Sequence, residues 1–125
     1  MNIRITHLLC AAALTALAQS AIAGAESQAR QEVTYLLGSV AGSHCQFNRN
    51  GSWYEGEEAR AHLQKKFEYL DKRNMAPTAE LFIERGASTS STSGKPYQIR
   101  CPGAAPVDSA TWLSAQLARY RKQPR

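Results

Sequence analysis

Apolar side chains recur along this chain with two periods, and the period changes mark its elements. Ala29, Val33, Leu36, Leu37 and Val40 return every three or four residues, which predicts a helix over 26–41 with one buried stripe. Gly42 is a suitable stop for it. From Cys45 the period drops to two: Cys45, Phe47 and Arg49 alternate with Gln46 and Asn48. Asn50-Gly51 follows, then Ser52-Trp53-Tyr54. Both residues of Asn-Gly tolerate positive φ, so the segment predicts a tight hairpin. Helical spacing returns over 56–73, with Ala59, Leu63, Phe67 and Leu70 on the buried side and Tyr69 at its edge. A third helix is expected over 77–86, with Pro77 in its first turn and Ala79, Phe82, Ile83 and Gly86 facing inward.

Beyond Gly86 the pattern breaks. Ser88 to Ser93 is an unbroken run of Ser and Thr. Tyr97 to Cys101 then alternates apolar with polar, which predicts a strand ended by Pro102-Gly103. Asp108 is placed to cap a last helix over 109–122, with Trp112, Leu113, Leu117 and Tyr120 turned inward. The order is helix, hairpin, helix, helix, strand, helix. This describes a small, mostly helical α+β domain, with the 97–101 strand joining the hairpin in one antiparallel sheet. Trp53 is expected to close the core.

The N-terminus adds a compartment. Arg4, the short apolar run from Leu8 to Ala18 and Ala21-Ile22-Ala23 form the pattern of a secretory signal peptide. Cleavage is expected after Ala23, with Ala16-Leu17-Ala18 as second choice, which leaves residues 24–125 as one domain. The apolar run is too short to cross a bilayer, which needs about 20 residues, and no membrane-spanning segment is expected in the mature chain. Cys10 has Leu9 before it and most of the apolar run after it, unlike a lipoprotein site, so it belongs to the leader. Export then makes a disulfide between the remaining cysteines, Cys45 and Cys101, the simplest pairing. His44 adjoins Cys45, but nothing near Cys101 completes a metal set. No metal or cofactor is expected.

Charge narrows the partners. The chain carries a formal net charge of +5, to which the leader contributes Arg4. The local excess at Arg119, Arg121, Lys122 and Arg125 reads as a solvated helix end that complements the helix dipole. No stretch interleaves basic and aromatic residues as a nucleic-acid surface does, so nucleic acid is not an expected partner. A protein or glycan of the cell envelope is.

The run Ser90 to Tyr97 ends in Ser93-Gly94-Lys95-Pro96-Tyr97. It is not a nucleotide loop. Seven residues separate Gly86 from Gly94 where four are needed, and Pro96 stands where a magnesium-binding hydroxyl belongs. The flanks are also reversed, helix before and strand after. A structural loop whose hydroxyls bond backbone at the end of the third helix is expected, reaching His62 or Arg49 if it folds over them. The same five residues fit S-G-x-x-Y, which resembles a motif in periplasmic inhibitors of lysozyme. Those proteins are mainly β, whereas this chain is mostly helical.

Two longer stretches carry a closer likeness. One is Phe47-Asn48-Arg49-Asn50-Gly51 with Glu58-Ala59, His62-Leu63 and Lys66. The other is Thr78-Ala79-Glu80, Phe82-Ile83, Ala87-Ser88, Ser90-Ser91 and Ser93 to Tyr97. Together they resemble the YfeK-like family of small exported bacterial proteins, a domain of unknown function, over about residues 30–120. The resemblance implies a periplasmic location and names no activity, substrate or partner. Where that family is expected to carry a histidine, this sequence has Tyr54.

The candidate chemistry gathers on three segments. Glu58, His62 and Lys66 lie four apart on one flank of the second helix. As a reactive set, His62 would be a general base oriented by Glu58, acting on an envelope substrate. As a structural set, the three form a salt-bridged flank, which is the favoured reading because ion-pair networks also perturb such groups. Arg49 and Asn50 stand at the hairpin tip, and Ser93, Gly94, Lys95 and Tyr97 on the loop. The resulting expectation is a non-enzymatic periplasmic binding module using these three segments. A lysozyme inhibitor and a hydrolase are the alternatives.

Overall fold

The computed structural model describes residues 13–124, with side chains from Gln28 onward. Arg4, Cys10 and the side chains around Ala23, on which the expected leader rests, lie outside the described residues. The backbone forms helix α1 over Ala13–Gly42, which begins well before the predicted start and passes through the bond after Ala23. Its predicted stripe is the buried one: Ala29, Val33, Leu36, Leu37 and Val40 are all inside. Among the described residues no helix is long and apolar enough to cross a membrane.

Strands β1 (Gln46–Arg49) and β2 (Ser52–Glu55) form the predicted hairpin. Asn50 and Gly51 both carry positive φ, 54° and 83°, as a two-residue turn matched to the strand twist requires. β3 (Gln98–Arg100) lies antiparallel to β1, and β4 (Val107–Asp108) antiparallel to β3, giving the order β2-β1-β3-β4. The short β4 was not predicted.

Register decides which face is buried. Phe47 pairs with Tyr54 on one side and Ile99 on the other. Phe47 and Ile99 are buried, and the Phe47 ring meets Trp112 edge-on at 6.0 Å. Trp53 pairs with Asn48, one step out of phase, so it stands on the outer face. There the Arg100 guanidinium covers its ring at 4.0 Å. The expectation that Trp53 closes the core fails for this reason of parity.

Helix α2 (Gly56–Lys72) follows β2 without a loop. A Cβ at Gly56 would lie 2.5 Å from the Val40 carbonyl, so glycine lets α2 start against the end of α1. Ala59, Leu63 and Leu70 are buried, and Phe67 meets Phe82 edge-on at 5.4 Å. Helix α3 (Ala79–Gly86) starts later than predicted: Thr78 is its cap, accepting from the Leu81 amide, and Pro77 lies outside. Helix α4 (Ser109–Arg121) buries Leu113 and Leu117. Asp108 sits at its cap position, but its side chain accepts no hydrogen bond there; its backbone is engaged in β4 instead.

One core joins all four helices to the inner face of the sheet. Two links span it. The Cys45–Cys101 disulfide, with Cα atoms 4.2 Å apart, ties the start of β1 to the end of β3. Arg121 reaches from α4 to the buried Glu32 on α1 and to Glu80 on α3, with Nε and Nη1 at 2.5 Å from the respective carboxylates. The basic helix end is therefore partly turned inward, contrary to expectation for Arg121. The fold is an α+β single domain with a four-stranded antiparallel sheet.

Candidate functional site

Arg49 is the last residue of β1 and points to the same face as Phe47 and Tyr54. Its guanidinium lies over the Tyr54 ring at 5.2 Å and donates from Nη1 to His62 Nδ1 at 2.5 Å. A guanidinium has only donors, and Nη1 also lies 3.2 Å from Nε2; taking the shorter contact as the bond makes Nδ1 the acceptor and assigns the imidazole proton to Nε2. From there it faces Tyr97 Oη at 3.3 Å. Lys66, one turn further along α2, donates to the same phenol oxygen at 3.2 Å and to the Thr89 carbonyl at 3.5 Å. The order Arg49, His62, Tyr97, Lys66 is thus one hydrogen-bonded chain linking β1, α2 and the approach to β3. Both donors fall on the phenol oxygen, which leaves the phenol's own proton to be given elsewhere.

Burial is the first cause holding His62 low, followed by the neighbouring Arg49, Lys66 and Lys65 cations; they push it from its ordinary 6.5 to about 4. At neutral pH the imidazole is uncharged among three positive groups.

Glu58 is exposed and makes no hydrogen bond or ion pair with His62 or Lys66. The expected salt-bridged flank is absent in that form: each member turns to a different neighbour. In the expected catalytic set, Glu58 would have accepted a proton from the imidazole. In its place Arg49 donates a hydrogen bond to the ring and keeps its proton.

The Ser/Thr run folds into a compact turn. Thr89 bridges Pro96, the Ser90 amide donates to the Lys95 carbonyl, and the Tyr97 amide to the Ser88 carbonyl. Ser88 Oγ donates to the Ile83 carbonyl at 2.6 Å, tying the loop to the end of α3 as expected. Ser90 is buried, and its hydroxyl accepts from the Thr92 and Ser93 amides. Ser93 Oγ reaches Asn50 Oδ1 at 2.6 Å, joining the loop to the hairpin tip. The loop contacts Asn50, and not His62 or Arg49, through its hydroxyls; Tyr97 makes the link to His62. Gly94 and Lys95 are exposed at the apex, while Tyr97 is buried.

Beneath the chain from Arg49 to Tyr97 lies a cavity of about 140 Å³. Phe47, Leu63, Ala87 and Leu113 supply apolar walls; Arg49, His62, Tyr97 and Ser109 supply polar ones; Glu58 stands at its exposed side. Ser109 Oγ is buried and is the one buried side-chain polar atom among the described residues without a hydrogen-bond partner. Sequence reasoning missed Ser109. The available signal was that Asp108 and Ser109 are both cap-type residues and a helix needs only one. The cavity unites Arg49, Glu58, His62 and Tyr97 from the sequence-derived set. Asn50, Ser93, Gly94 and Lys95 form a separate rim, and Lys66 acts from behind Tyr97. Among the described residues no cluster of three or more His, Cys, Asp or Glu is placed to hold a metal ion.

A disulfide-tied α+β domain with a small, mainly apolar cavity between hairpin, α2 and α4, edged by a few polar groups, is the class these observations define. The chain belongs to a family of unknown function (DUF5329), whose model matches residues 27–121. It is 35% identical over 91 residues to the uncharacterized protein YfeK of Salmonella typhimurium, which covers 72% of this chain and 74% of that protein. No solved structure matches.

Proposed function

We propose that this protein is an exported, periplasmic binding module whose recognition site is the cavity beneath Arg49, His62 and Tyr97. The single observation that carries this reading is the unpartnered Ser109 hydroxyl inside a cavity whose other polar groups are already ordered. A buried hydroxyl without a partner costs about 1–3 kcal/mol. A fold keeps that cost where a ligand supplies the missing bond.

The same geometry favours binding over hydrolysis. An imidazole lowered to about 4 is a poor proton acceptor at neutral pH. Its Nδ1 accepts from a guanidinium, whereas an oriented general base donates from Nδ1 to a carboxylate. A lysozyme inhibitor that plugged a cleft with Ser93 to Tyr97 would have to present Tyr97. Here that ring is buried and its oxygen is bonded to two neighbours.

Export is supported by the leader pattern and by a disulfide that an oxidising compartment preserves. Intact-mass and N-terminal analysis of the periplasmic fraction is expected to give a chain starting at Gly24, lighter than the reduced chain by the two thiol hydrogens. A cytosolic protein that keeps Met1 and free thiols would overturn the export reading. Binding is tested by amide chemical shifts during a titration with a fragment set. Shifts confined to Leu63, Tyr97, Ser109 and Leu113 are expected for some members; no movement with any member would remove the binding reading.

A further inference from the structure

The cavity's charge and size limit what it accepts. Arg49 and Lys66 have no carboxylate within ion-pair distance among the described residues, although both are only half-exposed. A half-buried guanidinium without a counter-ion is an open site for an anion, and its planar fork matches the two oxygens of a carboxylate. Lys65 and Lys66 add to the same field. Their effect, with that of Arg49, is visible in the lowering of His62, secondary there to burial. The interior is different. Phe47, Leu63 and Leu113 wall it, and its volume of about 140 Å³ is close to the roughly 150 Å³ engineered cavity that admits benzene. Ser109 Oγ waits inside, with a proton to give and no acceptor.

We propose that the cavity binds a compact organic carboxylate, its apolar body of about benzene's size lying between Phe47, Leu63 and Leu113. The carboxylate is held by Arg49 at the mouth and by a hydrogen bond from Ser109. The Tyr97 proton is a further donor. Inorganic phosphate and other bodiless oxyanions fill little of the apolar volume. Cationic ligands meet three like charges. Glu58, exposed at the same opening, opposes the anion and sets an upper limit on affinity. This assignment rests on the reading of the cavity as a binding site and names its ligand class.

The test is a titration of the oxidised mature protein at pH 7, followed by amide shifts and calorimetry, with benzoate, benzamide, acetate and inorganic phosphate as probes. Benzoate is expected to give saturable shifts at Leu63, Ser109 and Leu113, with benzamide and acetate about tenfold weaker. Arg49→Gln is expected to weaken benzoate about tenfold. Ser109→Ala is expected to weaken it about fivefold while melting no lower than the wild type, because the hydroxyl it removes has no partner to lose. Glu58→Gln is expected to tighten it. Equal binding of benzamide and benzoate, or an Arg49→Gln variant that binds benzoate as well as wild type, would overturn the carboxylate assignment. If benzamide or phosphate enters the cavity and benzoate does not, that assignment falls and the binding module stands. If none of the four moves a cavity amide, the carboxylate assignment falls, and the binding module falls with it only if the whole fragment set is silent as well.

Discussion

A histidine beside a carboxylate gains a proton more easily; His62, buried and set beside Arg49, loses one more easily. Its folded value of about 4 lies below its ordinary 6.5, so between these values the unfolded chain binds more protons than the folded one. The contribution of His62 to stability is therefore complete above about 6.5 and is lost as pH falls toward about 4. Denaturant midpoints measured across this range should decline toward acid, and His62→Gln should flatten that part of the profile. An imidazole proton signal titrating near 6.5 would show that the ring is neither buried nor held against Arg49 as described. Arg49 and His62 were each legible in the sequence as candidates. Their union was not: the alternation places Arg49 on the face of Phe47, but only the docking of α2 on that face brings His62 to it. The same holds for Arg121, which in sequence looks like any cation in a last helical turn. Only the buried position of Glu32, at the edge of the apolar stripe of α1, distinguishes it.

The loop from Ser88 to Tyr97 is a hydrogen-bonded unit, not a spacer. Ser88, Ser90 and Ser93 each hold at least one backbone or side-chain partner, and Ser91 is exposed with none. Replacing Ser88, Ser90, Ser91 and Ser93 together by Ala should lower stability by several kcal/mol, at about 1 kcal/mol per lost bond. Ser91→Ala alone should melt like wild type. Equal melting of the quadruple variant and wild type would show that the loop is held by its backbone bonds only. Elements with a long period were readable in advance: the predicted stripes of α1, α2 and α3 are buried apart from Phe67, which is partly covered, and the reading missed only the buried Glu32 and Gly56. β4 was not, since two residues after Pro106 show no alternation to detect. The starts of α1 and α3 moved for local reasons. Small helix-forming residues extend α1 backward, and Thr78 offers a better cap than the residues before Pro77.

The domain is closed by contacts between distant parts of the chain. The disulfide joins residues 56 apart, and Arg121 meets a Glu32 that lies 89 residues earlier. The Glu32 side chain is 3% exposed and that of Arg121 41%. Arg121→Met leaves a buried carboxylate without its partner and should cost about 3 kcal/mol; water reaching the half-open guanidinium keeps the loss at the lower end of the range for buried pairs. The double variant Glu32→Gln with Arg121→Met should recover part of that loss in the same melts, and no recovery would show that packing of the Arg121 stem carries the effect. Reducing the disulfide should cost about 4 kcal/mol in the chain-entropy description of a loop this long. These separations also govern the order of assembly. α1 finds its ion-pair partners on α2 and α4, 41 and 89 residues later. Loop closure of that span must precede the reward, which slows folding. Docking of α4 is the step that covers the Glu32 carboxylate with its guanidinium. A chain that ends before Ser109 therefore leaves an acid uncovered beside the apolar stripe of α1, and water in place of Arg121 becomes its partner.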